Sequence, residues 1–140
     1  MDSSLLQLVS AELENCDIQY QTYTTELPEY LELRFSEDNL ITTIRVIALN
    51  EGKVLQVSSD TFAKIPLDKL SAVYPVINTL NCDYRFVKFT LDEDNEISAH
   101  WDLPDNVSPD SVGRVIVEIV IRMSQILDTA YPKLMKAIWS

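Results

Sequence analysis

The sequence predicts a single α+β domain: a helix, an antiparallel strand meander, a second helix, a β-hairpin and a long C-terminal helix. Three observations lead to this prediction. The chain has 140 residues, 46% of them hydrophobic, which is enough for one domain with its own core. Apolar residues recur at helical spacing near both ends, whereas stretches between them alternate apolar and polar residues as strands do. No repeat or linker divides the sequence, so we expect residues 1–140 to form one domain.

The first half of the chain is predicted to begin with a helix and to continue as strands. Ser3 or Ser4 can cap this helix, and its apolar stripe is expected to end near Cys16. Turn-forming residues then separate segments in which β-branched and aromatic residues alternate with polar ones, as in an antiparallel meander. These segments are residues 18–24, 31–35, 40–49 and 54–57.

The second half is predicted to hold two helices and a hairpin. Residues 65–81 have the pattern of a helix, and Pro75 is expected to kink it or to divide it into two short helices. Strands are predicted at 84–92 and 96–103. The long last helix is expected to begin at Ser108, whose side chain can cap it and which is followed by a proline suited to the first helical position.

The loop of the hairpin follows from its apolar pattern. A two-residue turn would place Phe89 opposite His100 and mix apolar with polar residues on each face of the sheet. A three-residue loop, residues 93–95, instead pairs Phe89 with Ala99 and leaves His100 on the outer face. Such a loop requires a left-handed residue at its last position, and Asn95 is among the few non-glycine types that tolerate this conformation.

The charge of the chain disfavours several classes of partner. It carries 22 acidic and 11 basic residues, a formal net charge of −11, and no two basic residues are adjacent. Such a surface repels phosphate backbones and anionic lipid, so we expect neither nucleic acid nor a membrane as a partner. The N-terminus has no signal-type pattern, and the apolar runs are far shorter than the roughly 18 residues of a membrane span. A cytoplasmic location is therefore expected.

Few residues are suited to catalysis or to metal binding. His100 is the sole histidine, and the sequence places no serine or cysteine beside it as a nucleophile. Cys16 and Cys82 fit no metal-binding pattern, and reduced, partly buried thiols are a simpler interpretation than a disulfide. The acidic run 92–96 lacks the glycine and glutamate positions of an EF-hand loop, and two glycines are too few for a phosphate-binding loop. We expect no catalytic residue, no metal and no cofactor.

One strip of the last helix stands out because it carries no charge. Gly113, Val117, Ile121 and Ser124 lie opposite the broad apolar stripe that is expected to face the core. In one interpretation the strip contacts a partner or a second copy of the chain. In the other, a further element such as the first helix covers it. We take these four residues as the candidate protein interface.

Five segments of the second half of the chain carry a likeness to a known family: 77–81, 85–89, 92–97, 102–104 and 131–135. From residue 77 onward the chain resembles the YbjN family, which is described as bacterial sensory transduction regulators. The likeness covers nearly half of the chain and depends on the order and spacing of these segments more than on any single one. Asn95 stands where the family typically has glycine in the hairpin.

The resemblance implies a fold similar to that of class I type III secretion chaperones, in agreement with the element order above. Those chaperones are small, acidic, dimeric binders of extended protein segments, and they are not enzymes. The leading hypothesis is a non-enzymatic, homodimeric protein that binds another protein in a regulatory or chaperone-like role. The alternatives are a dedicated type III secretion chaperone and a domain that binds a small molecule between helix and sheet. The family supplies no functional-site residues.

Overall fold

The computed structural model describes residues 4–140, in which three α-helices pack on one face of a seven-stranded antiparallel sheet. The helices are α1 (Ser4–Asn15), α2 (Leu70–Asp83), which follows a 3₁₀ turn at Leu67–Lys69, and α3 (Pro109–Trp139). The strands are β1 (Gln21–Tyr23), β2 (Tyr30–Ser36), β3 (Ile41–Leu49), β4 (Val54–Ser59), β5 (Ala63–Lys64), β6 (Lys88–Leu91) and β7 (Glu96–Asp102). This is the predicted α+β fold, with the two-residue β5 as an element that the sequence pattern does not predict.

The sheet is organised around β7, the last strand in the chain. The strand order is β1-β2-β3-β4-β7-β5, and β6 pairs with the other edge of β7. The first four strands form the predicted meander. β4 and β5 share one edge of β7, because β4 pairs with 100–102 and β5 with 96–97. The hydroxyl of Ser59 fills the gap between them by accepting a hydrogen bond from the backbone N–H of Ala99 at 2.9 Å.

One apolar core lies between the helices and the inner face of the sheet. Along β3 the side chains at Thr42, Ile44, Val46 and Ala48 are buried, and those between them are more exposed, which is the period of two expected for a half-buried strand. Buried residues of α3 extend over nearly its whole length. Each fully buried leucine or isoleucine contributes about 1.5–3 kcal/mol, so this layer supplies most of the driving force for folding.

The ends of α1 and α3 agree with their predictions. α1 ends at Asn15, and the possible cap at Ser3 lies outside the described residues. At the start of α3, Ser108 has extended backbone angles, and its Oγ accepts a hydrogen bond from the N–H of Asp110 at 3.3 Å. This satisfies one of the backbone donors that every helix N-terminus leaves free.

The second helix departs from its prediction. α2 is continuous through Pro75, so of the two predicted alternatives, a kink or a division into two helices, the division is wrong. Proline removes the donor that would bond the carbonyl of Ser71. Both residues are exposed, however, so that carbonyl faces solvent, where water can bond it. The helix also starts later than predicted, because Ile65 is tied to the sheet by its N–H bond to the carbonyl of Asn95 at 2.8 Å.

The hairpin has the predicted three-residue loop. Phe89 pairs with Ala99, and Asn95 adopts a left-handed conformation with a φ of 61°. The apolar pattern was sufficient for this register because a slip by one residue would move every side chain to the opposite face. β6 begins at Lys88 rather than at residue 84.

No helix within residues 4–140 combines the length and the hydropathy that crossing a bilayer would require.

Candidate functional site

An apolar groove lies between α3 and the end of β7, and we take it as the candidate functional site. Its volume is about 340 Å³. Trp101 forms one wall with Phe86, Pro104 follows β7 on the other side, and Val115 and Ile119 of α3 line the helical side. The segment that connects β7 to α3 passes along the groove, and its Leu103 and Val107 contribute to the lining.

Phe86 is the most unusual residue of this groove. Its side chain is 69% exposed, although large aromatic side chains are normally buried. The ring stacks on that of Trp101, with centroids 5.5 Å apart and planes 21° from parallel. The groove therefore has a rim of two stacked aromatic rings, one of which is largely in solvent.

The backbone at Phe86 is strained. Its φ is 71°, a value that L-residues with bulky side chains rarely adopt. The N–H of Val87 bonds the carbonyl of Arg85 at 2.8 Å, so Phe86 is the central residue of a γ-turn of the rare positive-φ form. Such a conformation costs on the order of 1–3 kcal/mol, and it persists only where the surrounding structure imposes it. This turn is also what delays the start of β6.

Charged side chains line the polar edge of the groove. They belong to Glu118 and Arg122 of α3. Asp102 borders the groove at the end of β7, but its carboxylate lies on the outer face of the sheet, on the same side as Gln56 and His100. Asp102 accepts a hydrogen bond from Nε2 of Gln56 at 2.6 Å.

Sequence patterns did not identify this groove. Phe86 lies in a segment predicted as strand, where alternation would place it on the outer face of the sheet beside Lys88. The sequence did offer one signal of the groove, an aromatic residue at a position predicted to face solvent. That signal indicates a binding site only once the structure shows that Phe86 stacks on Trp101.

A second depression lies at the far edge of the sheet. It measures about 1000 Å³ and is lined mainly by polar residues of the segment 14–21 and of β2. It arises because β1 covers only the first three residues of β2, Tyr30 to Glu32, and the preceding chain diverges from the sheet. Its acidic side chains belong to a protein that is acidic throughout, and polar and apolar surface contribute about equally to its lining, whereas the lining of the groove is mostly apolar. We therefore regard it as a solvated edge, and the smaller apolar groove as the better binding site.

The histidine has partners that the sequence does not reveal. As predicted, His100 lies on the outer face, where it pairs with Ser58 of β4 and with Lys88 of β6. Its Nδ1 is hydrogen-bonded to Ser58 Oγ at 2.6 Å, and its Nε2 to Ser98 Oγ at 3.0 Å. Burial lowers the pKa of His100 from its ordinary value of 6.5, and the nearby charge of Asp102 only partly opposes this.

This Ser–His contact is not arranged for nucleophilic catalysis. Both ring nitrogens of His100 are bonded to hydroxyls, so neither is bound to a carboxylate that would orient the ring. Ser58 lies inside β4 and pairs with both β3 and β7, and its side chain is 8% exposed. The backbone donors around it serve the sheet and do not form an oxyanion hole.

The same outer face carries a row of polar residues across the strands. Arg45 of β3 is paired with Glu32 at 3.2 Å and with Asp60, and its guanidinium lies 5.7 Å from the ring centroid of Tyr30. The row continues through Ser58 to His100 by the strand register. These contacts join neighbouring strands, and the two carboxylates occupy the guanidinium of Arg45.

The candidate interface strip on α3 is mostly covered within the protomer. A Cβ added to Gly113 would lie 2.9 Å from both the carbonyl oxygen of Leu8 and Cβ of Glu12, so α1 packs directly on this glycine. Val117 is 7% exposed. At this end of the strip the structure therefore agrees with the alternative interpretation, in which the first helix covers it.

The other end of the strip meets the turn between β2 and β3. Ser124 is buried, and its hydroxyl is hydrogen-bonded to the carboxylate of Glu37 at 3.1 Å. Ile121 alone is exposed, at 39%. As a correction to the sequence interpretation, Gly113, Val117 and Ser124 are therefore not free on the surface for a partner, because α1 and this turn occupy their face.

The thiols and acidic groups do not assemble into a metal site. Cys16 and Cys82 are free thiols, as predicted, but both are exposed, so the expectation that they are partly buried is wrong. Over the part of the chain that the structure describes, no cluster of three or more His, Cys, Asp or Glu side chains has a geometry that could hold a metal ion.

Comparisons with known proteins agree with the fold. The family model described as "YbjN: Putative bacterial sensory transduction regulator" matches residues 11–131. The crystal structure of E. coli YbjN, described there as "a putative transcription regulator", superimposes with a TM-score of 0.64 over 91% of this chain and 92% of that one. The two are 12% identical, so this likeness establishes the shared fold. No curated protein matches the chain significantly. Because the family model spans most of the sequence, the chain belongs to the YbjN family.

Proposed function

We propose that this protein acts by binding another protein, in a regulatory or chaperone-like role, and that it performs no catalysis. The observation that carries the proposal is the exposed, strained Phe86 stacked on Trp101 at the edge of an apolar groove. Solvent-exposed aromatic side chains beside an apolar concavity are typical of interaction sites, where a few such residues supply most of the binding energy.

The strain at Phe86 supports a role in binding. The fold does not need this ring for its core, because Val87 and Phe89 on either side of Lys88 already supply the buried side chains of this segment. A left-handed γ-turn nevertheless holds the ring above the groove. Strained residues of this kind are concentrated at binding and catalytic sites. An apolar side chain placed in the groove would cover the exposed face of Phe86 and remove its surface from water.

A small molecule is the second candidate occupant. The groove volume of about 340 Å³ is at the lower end of the roughly 300–1,000 Å³ typical of ligand pockets, and its few polar groups lie on one edge as in such pockets. A metabolite that raised the melting temperature of the wild type but not of Phe86→Ala would favour this function. A dedicated secretion chaperone would instead hold an extended client, and one client would then co-purify with the protein.

A homodimer is also proposed, with α2 as its interface. Residues 70–82 contain no charged residue, although the chain carries a net charge of −11. Ser71, Tyr74 and Asn78 lie on its exposed face, and Tyr74 is 54% exposed. Two acidic protomers can approach closely where neither carries charge, and a twofold axis would place the same face of each chain together.

The test of protein binding is capture from a lysate with three forms of the protein. We expect a specific partner to be retained by the wild type and lost with Phe86→Ala. Trp139→Ala is the matched control, because Trp139 is an even more exposed aromatic residue, at 79%, at the far end of α3. A partner lost with both variants would be binding to exposed aromatic surface in general. Equal retention by Phe86→Ala would rule out the groove as the binding site.

A further inference from the structure

We propose that the open end of β2 takes up an extended segment of a partner protein as an added antiparallel strand. The two edges of β2 use alternate residues, as in every antiparallel ladder. The N–H of Ala48 bonds the carbonyl of Glu29 at 2.9 Å, so the residues at odd positions of β2 share their main-chain bonds with β3. The residues at even positions therefore direct their N–H and carbonyl groups to the opposite edge.

β1 uses only part of that opposite edge. It pairs with Tyr30, Leu31 and Glu32, and its register ends there. The main-chain groups of Arg34 and Ser36 point to the same edge, and no other segment within residues 4–140 bonds them. Unpaired donors and acceptors along a strand edge are a template for the main chain of another strand.

The segment that precedes β1 does not close this edge. If β1 extended further back in the same register, Gln19 would pair with Arg34. The end of α1 holds the segment elsewhere, because the N–H of Ile18 bonds the carbonyl of Leu13 at 2.9 Å and the hydroxyl of Tyr20 donates to a carboxylate of α1 at 2.6 Å. The depression of about 1000 Å³ is lined by this segment on one side and by β2 on the other, so space for an added strand remains beside β2.

The open end of β2 is already held in the geometry that an added strand needs. β2 contains neither proline nor bulge, two features with which sheets block their edges, and its register with β3 continues to Ser36. The turn that follows is anchored on α3, where the N–H of Asn39 donates to Asp128 at 2.6 Å. A preformed edge reduces the conformational entropy that is lost on binding.

The two faces of the sheet determine the side-chain pattern of the added segment. A residue opposite Arg34 shares its outer, exposed face, whereas the neighbouring residues of the segment point inward. On that inner side Phe35 and Ile18 are half-buried and pack against the core. The partner segment is therefore extended, with polar residues alternating with apolar ones.

A second copy of the chain is a poor occupant of this edge. It would place another protomer of net charge −11 against the carboxylates of Glu14 and Asp17, which line the depression. The segment consequently comes from a different protein. This inference rests on the proposed protein-binding function, but it uses a surface other than the groove.

The test follows amide hydrogen exchange in the whole protein by NMR, with an end-blocked Thr-Ile-Thr-Leu-Thr peptide as the probe. In the free protein the amides of Arg34 and Ser36 should exchange fast, and those of Leu33 and Phe35, which bond β3, should be protected. The peptide should slow exchange at Arg34 and Ser36 by at least about tenfold and leave the other two amides nearly unchanged.

Two N-methylated peptides test whether main-chain bonds carry the binding. Residues that share main-chain bonds with Arg34 lie on its outer face, so they are the threonines of the probe. Methyl groups on the threonine amides remove these donors, and this peptide should lose binding. Methyl groups on the isoleucine and leucine amides lie on the far edge of the added strand, and this control should bind within about twofold of the parent peptide.

Arg34→Pro and Arg34→Ala are the matched protein variants. Proline is tolerated on edge strands, and here it removes a main-chain donor that the fold does not use, so peptide binding should be lost. Alanine keeps the main chain and should leave binding within about twofold of the wild type. If the proline variant does not fold, the wild type with the two methylated peptides still decides the outcome.

The outcomes separate this inference from the function on which it rests. If Phe86→Ala abolishes binding and Arg34→Pro does not, the peptide occupies the groove, and the strand-edge inference is wrong while the proposed function stands. If Arg34→Ala acts as strongly as Arg34→Pro, the side chain is recognised instead of the main chain, and the inference is again wrong.

Two further results would also overturn it. Protection of Arg34 and Ser36 that rises with protein concentration in the absence of peptide would assign the edge to a second copy. Unchanged exchange at both amides with the peptide at millimolar concentration would show that no strand is added. Neither result affects the capture of a partner through Phe86, which tests the proposed function separately.

Discussion

The carboxamide of Asn81 pairs with the main chain of Phe89 as a neighbouring strand would. Its Oδ1 accepts a hydrogen bond from the Phe89 N–H at 2.7 Å, and its Nδ2 donates to the Phe89 carbonyl at 3.1 Å. The last turn of α2 thus closes the free edge of β6 and attaches the helix to the hairpin. The strained turn at Phe86 lies between these two attached points, so the Asn81 contact helps to hold it.

Asn81→Ala is expected to lower the free energy of unfolding by about 1–3 kcal/mol, because it leaves a partly buried donor and acceptor of Phe89 without partners. Urea denaturation followed by circular dichroism measures this change. Asn78→Ala, on the exposed face of the same helix, is the control and should change stability by less than about 0.5 kcal/mol. Equal effects of the two variants would mean that the Asn81 contact contributes nothing specific.

Phe86→Gly is expected to be more stable than Phe86→Ala by about 1 kcal/mol. Both variants lose the stack on Trp101, but glycine adopts a φ of 71° without the steric cost that alanine retains. This is opposite to the usual order of the two residues, in which glycine is the less stable. Paired denaturation curves give the difference, and the usual order would show that the backbone at this position is not left-handed.

Stability should fall as the pH is lowered through the range in which His100 titrates. Burial lowers the pKa of His100 in the folded protein, so the unfolded chain takes up a proton first, near its ordinary pKa of 6.5. Below that pH the unfolded state binds more protons, and stability decreases until the folded protein is protonated as well. Because His100 is the sole histidine, it dominates this part of the pH curve.

The matched variant for this prediction is His100→Gln, which keeps a polar side chain on the same face but cannot titrate. Its melting temperature should fall less than that of the wild type between pH 7 and pH 5.5, while both fall together at lower pH as carboxylates are protonated. Parallel curves over the whole range would mean that burial does not lower the pKa of His100.

Thr42→Val is expected to stabilise the protein by about 0.5–1.5 kcal/mol. Among the described residues, Thr42 Oγ1 is buried and has no hydrogen-bond partner, and valine has the same shape without the hydroxyl. Thr43→Val, on the outer face of the same strand, is the control and should have a smaller effect. A loss of stability in Thr42→Val alone would show that the hydroxyl is bonded in solution.

Sedimentation is expected to find a dimer that depends on α2. Tyr74→Glu should dissociate it, because two like charges would meet across the uncharged face. Ile121→Lys, on the exposed remnant of the α3 strip, should leave it intact. Added salt should strengthen the dimer by screening the repulsion between two acidic protomers. A wild type that is monomeric at all salt concentrations would exclude the dimer. If Ile121→Lys dissociated the dimer and Tyr74→Glu did not, the interface would lie on α3 instead of α2.

The local pattern of residues was sufficient for the element order and for the hairpin. A period of two places one set of side chains in the core, so the register of β6 and β7 and the left-handed Asn95 follow from it. The caps of α3 are equally local, since Ser108 and Asp110 are two residues apart. Such features depend on interactions within a few residues, which the sequence displays directly.

The tertiary structure decided which surfaces remain open. The strip at Gly113 has the same local pattern whether or not α1 packs on it, and that packing joins residues about a hundred positions apart in the chain. The contact of Ser58 with His100 and the stack of Phe86 on Trp101 also join different segments of the chain, so local patterns do not reveal them. The sequence by itself determined the order of the three helices and of the main strands, but not β5 or the starts of α2 and β6. The long-range packing of those elements determined that α1 covers the candidate strip and that an apolar groove stays exposed beside β7.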